Sequence, residues 1–245
     1  MQPSKGTAVN SERQPSLLPL VLTTIALLLG ALAVGHGPIL AERWLMPAEA
    51  QPGPDALGRV AWFFNDFLRH EGIPLMWGAS IALFLGRRQW PIAALFALAI
   101  LVGPFNAVLK DLFDRPRPLE GLGVLGYPGD ASYPSGHTMT AVAFFGLWWF
   151  AAPRLLGARA TTGVRLVAAL AIALTGVSRV WALAHWPTDV VAGVCFGAAF
   201  TTTVWSLEAR VSWAVDQARA AIFAFEWHLA TGIPLRHTWA TVSAE

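Results

Sequence analysis

Charge is scarce in this sequence. Of its 245 residues only 13% are Asp, Glu, Lys or Arg, about half the roughly 25% of a soluble domain. The shortage runs the whole length of the chain, while 55% of the residues are apolar and mean hydropathy is +0.51. That pattern excludes an ordinary soluble domain and points to an integral membrane protein. Lysine is scarcer still: Lys5 and Lys110 are the only two, so almost all positive charge is arginine. The net charge of +2 is too small to suggest nucleic acid as a partner. The single cysteine, Cys195, excludes an intramolecular disulfide and a cysteine-built metal site. No carboxylate cluster of the kind that holds Mg²⁺ is visible. No internal repeat and no second domain can be read. No metal and no cofactor are expected.

What the chain has instead is apolar runs. A helical span takes about 20 residues, which leaves room for five or six spans and little else. Residues 1–16 are polar and expected to be disordered. The first run extends from Leu17 to about Val34. Its Ala31-Leu32-Ala33 resembles a signal-peptidase site, but the run is long for a signal-peptide core, so an uncleaved anchor is expected. Residues 36–60 form a mixed loop with four prolines. From Asp55 to His70, Leu57, Val60, Phe63, Phe64 and Phe67 recur at helical spacing, which predicts an amphipathic helix along the membrane surface. Further spans are expected at about Gly72–Leu85, Trp90–Leu109, Ser135–Ala152, Leu166–Ala184 and Pro187–Leu207. Gly193-x-x-x-Gly197 in the last allows close helix contact. The tail opens as an amphipathic helix with Val211, Trp213, Val215 and Ile222.

The fold class expected is therefore all-α: a polytopic membrane helical bundle of about six transmembrane helices, plus an interfacial amphipathic helix. Residues 17–207 form the six-span membrane domain, and 208–245 an amphipathic tail. Basic residues orient it. Lys5 and Arg13, Arg87-Arg88, Arg154, Arg159 and Arg165, and Arg210 and Arg219 all fall on one side, the cytoplasmic one, with both termini. Arg43, Arg59 and Arg69 are exceptions, diluted by Glu42, Glu49, Asp55 and Asp66. The loop from Lys110 to His137 and the turn at His185 then meet on the opposite face.

Those two regions carry the chemistry. Pro134-Ser135-Gly136-His137 opens a span. Ser135 is a natural N-cap, and the free N–H groups and dipole of a helix start favour an anion. A plain capped helix start would look the same. Lys110 ends a span and by itself fits snorkelling at a membrane edge. Arg115-Pro116-Arg117-Pro118 is a stiff turn, suited to holding a guanidinium for bidentate phosphate contact. Arg179 lies in the last turns of a span, where charge is expensive. His185 and Asp189 flank Pro187. A carboxylate beside one imidazole nitrogen would fix the tautomer and leave the other nitrogen as a nucleophile. An interfacial histidine paired with a capping aspartate is the bland alternative. Together the segments suit phosphate binding and phosphoryl transfer to a histidine.

Lys110-x6-Arg117-Pro118, Pro134-Ser135-Gly136-His137 and Ser178-Arg179-x5-His185-x3-Asp189 resemble the three-part signature of the type 2 phosphatidic acid phosphatase superfamily, in order and at every position. The spacing selects Arg117 over Arg115. The resemblance covers roughly residues 70–207, and the six-helix core of that superfamily agrees with the spans. It implies that His185 attacks phosphorus to form a phosphohistidine and that Asp189 orients it. His137 would protonate the leaving oxygen and then activate water. Lys110, Arg117, Ser135, Gly136 and Arg179 would hold the phosphate, without metal. The function implied is an integral-membrane lipid-phosphate phosphatase of a bacterial inner (plasma) membrane, with its site on the extracytoplasmic face. Its substrate would be a lipid phosphate or diphosphate of the undecaprenyl diphosphate, phosphatidylglycerophosphate, phosphatidate or lipid A kind. A lipid phosphotransferase using the same phosphohistidine, and an inactive lipid-binding or transport protein, are the alternatives. The vanadium haloperoxidases share this kind of anion site but are typically soluble. Membrane lipids are the expected surroundings, and nothing specifies the oligomeric state.

Overall fold

A chain this apolar has one local way to satisfy its backbone in a membrane, the helix, and every regular element among the described residues is helical. The computed structural model describes residues 16–34, 36–39, 41–46, 59, 63, 72–118 and 131–231. Its helices are α1 (Leu18–Ala33), a short 3-10 turn (Glu42–Leu45), α2 (Gly72–Gly86), α3 (Trp90–Ala99), α4 (Val102–Phe113), α5 (Gly136–Ala151), α6 (Ala158–Trp181), α7 (Pro187–Ser206) and α8 (Glu208–Thr231). A 3-10 turn at Ala152–Arg154 follows α5. The interfacial helix expected at 55–70 lies outside the described residues except for Arg59 and Phe63. Residues 1–15, 119–130 and 232–245 lie outside them too.

Two boundaries differ from the sequence expectation. The span expected at Trp90–Leu109 breaks at Ile100–Leu101 and continues to Phe113. Pro104 explains the break: without an N–H it cannot bond the carbonyl of Ile100. That carbonyl accepts from Gly103 N instead, at 3.2 Å. The span expected at Leu166 starts eight residues earlier, at Ala158, taking Arg159 and Arg165 into its first turns. Among the described residues, three helical stretches are long and apolar enough to cross a membrane: Trp90–Phe113, Ala158–Trp181 and Pro187–Ser206. Leu18–Ala33 and Gly72–Gly86 are apolar but shorter.

Helix α5 is the hub, packing on α7 and α6, while α1 lies along α7. Small residues make the α5–α7 contact close. A Cβ on Gly193 would stand 2.8 Å from the Ser135 carbonyl oxygen, and one on Gly197 would stand 2.9 Å from that of Met139. Helix α1 is held at the Lys110 end of α4: Phe113 fills the space beside Gly30, and the buried Tyr133 hydroxyl donates to the carbonyl of Ala26. Between α2, α3 and α5, Trp77, Phe84, Phe96, Phe144 and Trp148 form an aromatic cluster with centroids 5.2–6.0 Å apart, within the range of favourable ring pairs. Its indoles are satisfied. Trp77 Nε1 donates to Phe96 O at 2.6 Å and Trp148 Nε1 to Ser80 Oγ at 3.0 Å. The up-and-down order brings the C-termini of α4 and α6 and the N-termini of α5 and α7 to one end. Arg154, paired with Glu208 at 3.1 Å, and Arg165, over the Trp149 ring, lie at the other.

Candidate active site

The last turn of α4 carries Lys110. Asp114 closes it in a left-handed conformation (φ 38°), with its N–H on the Lys110 carbonyl at 3.0 Å. The chain then runs out through Arg115–Pro118 and returns at Ala131. The two legs are laced together: Ser132 N donates to Arg115 O at 2.7 Å and Ser132 Oγ to Pro116 O at 3.1 Å. The chain reverses between α6 and α7 at Leu183, where φ is 50°. Both Ala184 N and His185 N donate to the Arg179 carbonyl, at 3.1 and 3.2 Å. Arg179 thus sits at the C-terminal, negative end of a helix dipole, which favours a cation.

These ends enclose a cavity of about 200 Å³ lined by Asn106, Lys110, Arg117, Gly136, His137, Arg179 and His185. Arg117 reaches across to two backbone carbonyls. Its Nη1 donates to Ala184 O at 2.7 Å and lies 3.5 Å from His185 Nε2, and its Nη2 donates to Ala131 O at 3.3 Å. Lys110 Nζ also donates to the carbonyl of Ala131. His185 is buried, and its Nδ1 lies 2.7 Å from the carbonyl oxygen of Ser132. A carbonyl can only accept, so Nδ1 carries the hydrogen and Nε2 turns a lone pair to the cavity. Burial holds the ring's proton affinity well below the usual imidazole range. The charges of Arg179, Arg117 and Lys110 add to that effect, and the Ser132 carbonyl works against it. The ring is therefore neutral at neutral pH.

Two expected residues do not line the cavity. Ser135 is the N-cap of α5 but makes no side-chain capping bond; it is fully buried, its Oγ is 3.0 Å from Thr138 Oγ1, and it does not line the cavity. Gly193 of α7 packs against its backbone, where a Cβ would stand 2.8 Å from the Ser135 carbonyl oxygen. Asp189 lies behind His185. Its Oδ2 is 3.6 Å from Nδ1, too long for a hydrogen bond, and accepts instead from Trp186 N at 2.9 Å. The hydrogen-bonded partner of His185 is thus a backbone carbonyl, with the carboxylate beside it. Ser178 turns its hydroxyl onto Thr175 O at 2.6 Å and takes no part.

Three residues escaped the sequence reading. Asn106 lines the cavity, and a Cβ on Gly136 would stand 2.7 Å from its Oδ1, so Gly136 makes room for it. Arg115, passed over in favour of Arg117, is fully buried. It bridges Asp189 Oδ1 at 2.5 Å and Glu42 Oε2 at 2.7 Å, with its guanidinium 5.4 Å from the Trp186 ring centre. Glu42 reaches it from the 3-10 turn after α1. Two arginines in the Arg-Pro-Arg-Pro segment were a visible signal. For Glu42 there was none.

A helical membrane fold with cations, two histidines and a helix start around one cavity matches a known class. The model of the PAP2 superfamily matches residues 90–213, and the chain belongs to that superfamily. It is similar to two proteins named lipid A 1-phosphatase. That of Rhizobium johnstonii is 34% identical over 122 residues, 46% of this chain and 46% of the relative; that of Rhizobium etli is 33% identical over 122 residues, 46% and 48%. Phosphatidylglycerophosphatase B of Bacillus subtilis is 27% identical over 127 residues, 51% of this chain and 62% of the relative. The alignments span about half the length of these curated relatives. Among solved structures, the transmembrane PAP2 type phosphatidylglycerolphosphate phosphatase from Bacillus subtilis superposes with a TM-score of 0.62 at 24% identity, over 80% of this chain and 98% of that one. That likeness is one of fold.

Proposed function

We propose that this protein is an integral-membrane lipid-phosphate phosphatase working through a phosphohistidine. The observation that carries the reading is the cavity itself, where Lys110, Arg117 and Arg179 converge on a neutral imidazole whose Nε2 is presented to them. Phosphoryl transfer chiefly requires positioning and charge stabilisation, and these groups supply both. Lys110, Arg117, Arg179 and the N–H groups at the start of α5 hold the phosphate. His185 Nε2 attacks phosphorus, a P–N bond forms, and the P–O bond to the lipid breaks. His137 gives its proton to the departing oxygen, then takes one from the water that cleaves the P–N bond and releases phosphate. Asp189 stabilises the charge that develops on the His185 ring. Ser135 starts α5, but its own N–H is bound to Asp189 O at 3.0 Å, so the N–H groups offered to the phosphate begin at Gly136.

The substrate is an amphiphile. Beside the His185 turn lies an apolar groove of about 260 Å³, with Leu45, Val177, Val180, Trp181, Pro187 and Val190 along it, suited to an acyl or prenyl chain. Names of the relatives point the same way, to lipid A and phosphatidylglycerophosphate. Residues 17–207 form a membrane domain of six spans, in which α1, α2 and α5 cross with help from flanking residues. The cavity faces away from the cytoplasm, and the Arg154 end and both termini face it. An inner (plasma) membrane location is part of the same proposal.

The test is His185→Ala, assayed for phosphate release from a long-chain lipid phosphate. Activity should fall to background. A brief pulse of substrate carrying radiolabelled phosphate should give an acid-labile, base-stable phosphoprotein in the wild type and none in the variant. Soluble sugar phosphates should show far lower kcat/KM than the lipid in the same detergent. Full turnover by His185→Ala rejects the mechanism, and equal kcat/KM for the two substrates rejects the lipid assignment.

A further inference from the structure

Behind His185, away from the cavity, the protein buries three charges in contact. Glu42 Oε2 lies 2.7 Å from Arg115 Nη2, Arg115 Nη1 lies 2.5 Å from Asp189 Oδ1, and Asp189 Oδ2 lies 3.6 Å from His185 Nδ1. Thr188 cross-links them. Its hydroxyl accepts from Arg115 Nη1 at 2.8 Å and donates to Glu42 Oε1. Glu42 is 2% exposed, and its oxygens accept from four groups: Ile39 N at 2.7 Å, Thr188 N at 2.8 Å, the Thr188 hydroxyl and Arg115. Four donors therefore converge on this one carboxylate.

Stability alone does not account for this cluster, because buried ion pairs rarely stabilise more than apolar packing of the same volume. Its charge does. Two carboxylates and one guanidinium leave a net negative charge directly behind the imidazole, on the side opposite the phosphate. We propose that Glu42 is a positioning residue for the reaction, acting through Arg115 and Asp189 on His185. Glu42 anchors the guanidinium, the guanidinium fixes Asp189 Oδ1, and Asp189 Oδ2 stays beside Nδ1 as positive charge develops on the ring. Without Glu42 the cluster is neutral and Arg115 draws the whole Asp189 charge to itself. The residue lies outside the 90–213 segment that matches the superfamily, so the N-terminal part of the chain completes the site. The proposal rests on His185 being the nucleophile.

The experiment compares full-length Glu42→Gln and Thr188→Val with wild type. It reads kcat, KM, inhibition by inorganic vanadate, the rate of phosphoenzyme formation, and Tm. Thr188→Val removes only the bridging hydroxyl and keeps the backbone donor to Glu42. Expected are a kcat loss of about tenfold or more in Glu42→Gln and about threefold in Thr188→Val, with matching losses in phosphoenzyme formation; KM and vanadate inhibition stay within about twofold. Wild-type kcat per folded molecule in both variants, or a loss carried by KM and vanadate binding, overturns the proposal. If Glu42→Gln does not fold, Thr188→Val decides alone: a kcat loss at constant KM supports the proposal and wild-type kcat overturns it. Turnover by His185→Ala would instead condemn the nucleophile reading, so the two failures are distinguishable.

Discussion

In front of the His185 ring, Lys110, Arg117 and Arg179 face a cavity with no carboxylate among its described lining residues. Behind the ring, Glu42, Arg115, Thr188 and Asp189 are buried and closed on one another. Among the described residues, the front places three cations along one cavity. The rear alternates signs and needs no ligand to be complete. Removing a cation should therefore have opposite consequences on the two sides. In front it takes away binding energy for an anion and relieves repulsion among the cations that remain. At the rear it leaves carboxylates facing each other without water.

The largest effect that sharpens this contrast is expected from Arg115→Met. It takes the cation from between two buried carboxylates, a change that costs about 3–5 kcal/mol, and Tm in detergent should fall accordingly. Arg117→Ala is the counterpart. It should lower kcat/KM by about a hundredfold, the scale of losing one donor to a developing charge. Its stability should fall less than that of Arg115→Met, because its bonds to Ala184 and Ala131 are only partly buried and its removal relieves repulsion from Lys110 and Arg179. Equal Tm losses in the two variants would break the comparison.

Most of the cavity's charged lining, and Asp189 behind it, could be singled out in the sequence, whereas Glu42 and the role of Arg115 could not, for a physical reason. The proposed phosphate site draws on charged groups at the ends of consecutive helices, so fixed spacing and order single out Lys110, Arg117, His137, Arg179 and His185, which line one cavity. A buried ion pair needs only proximity. Glu42 and Arg115 are 73 positions apart, and Glu42 sits in a segment with no helical or strand period. Spacing also selected Arg117, which lines the cavity, over Arg115, and is silent about that neighbour, which turns inward. Helix positions were legible from apolar runs, but not the break at Ile100–Leu101, although Pro104 carried the signal. Nor could spacing show that Ser132, through its carbonyl, holds the His185 ring. Main-chain groups leave no mark in a sequence.

A middle-sized effect tests the electrostatics of the front. Burial and three cations keep His185 neutral, with its folded value well below the 6.5 of a free imidazole. The sign follows from linkage. Above that value neither state binds a proton at this site and stability is flat. As pH falls below it, the unfolded chain takes up a proton that the folded protein refuses, so stability declines until the folded value is reached. The neutral ring is also the form that the proposed nucleophile needs, so activity should persist on the acid side of an ordinary histidine. Inorganic phosphate in the cavity offsets the cations and should reduce the stability loss. Tm followed from about pH 7.5 to about pH 5, with and without phosphate and against His185→Ala, reads this directly. An identical decline in wild type and His185→Ala would show that the ring is not held neutral.

The smallest effect concerns the joint between the two sides. Ser135 N donates to Asp189 O at 3.0 Å, which ties the start of α5, with Gly136 and His137 in front, to the start of α7, with Thr188 and Asp189 behind. Gly193 is where those helices touch. A Cβ there would lie 2.8 Å from the Ser135 carbonyl oxygen and 3.1 Å from Thr138 Cβ. Backbone cannot swing aside, so Gly193→Ala must push the two helix starts apart. Gly197→Ala meets the Met139 carbonyl at 2.9 Å and Val142 Cβ at 2.8 Å, one turn further from the cavity. Both should cost about 1–3 kcal/mol of overpacking strain and lower Tm alike. Only Gly193→Ala displaces the frame that sets His137 against His185, and small misplacements of reacting groups are expensive in rate. It should lose about tenfold in kcat, while Gly197→Ala stays within about twofold of wild type. Equal kcat in the two variants would mean that the front and rear keep their registration without this contact, and that the Arg115 lacing of the two loops holds them instead.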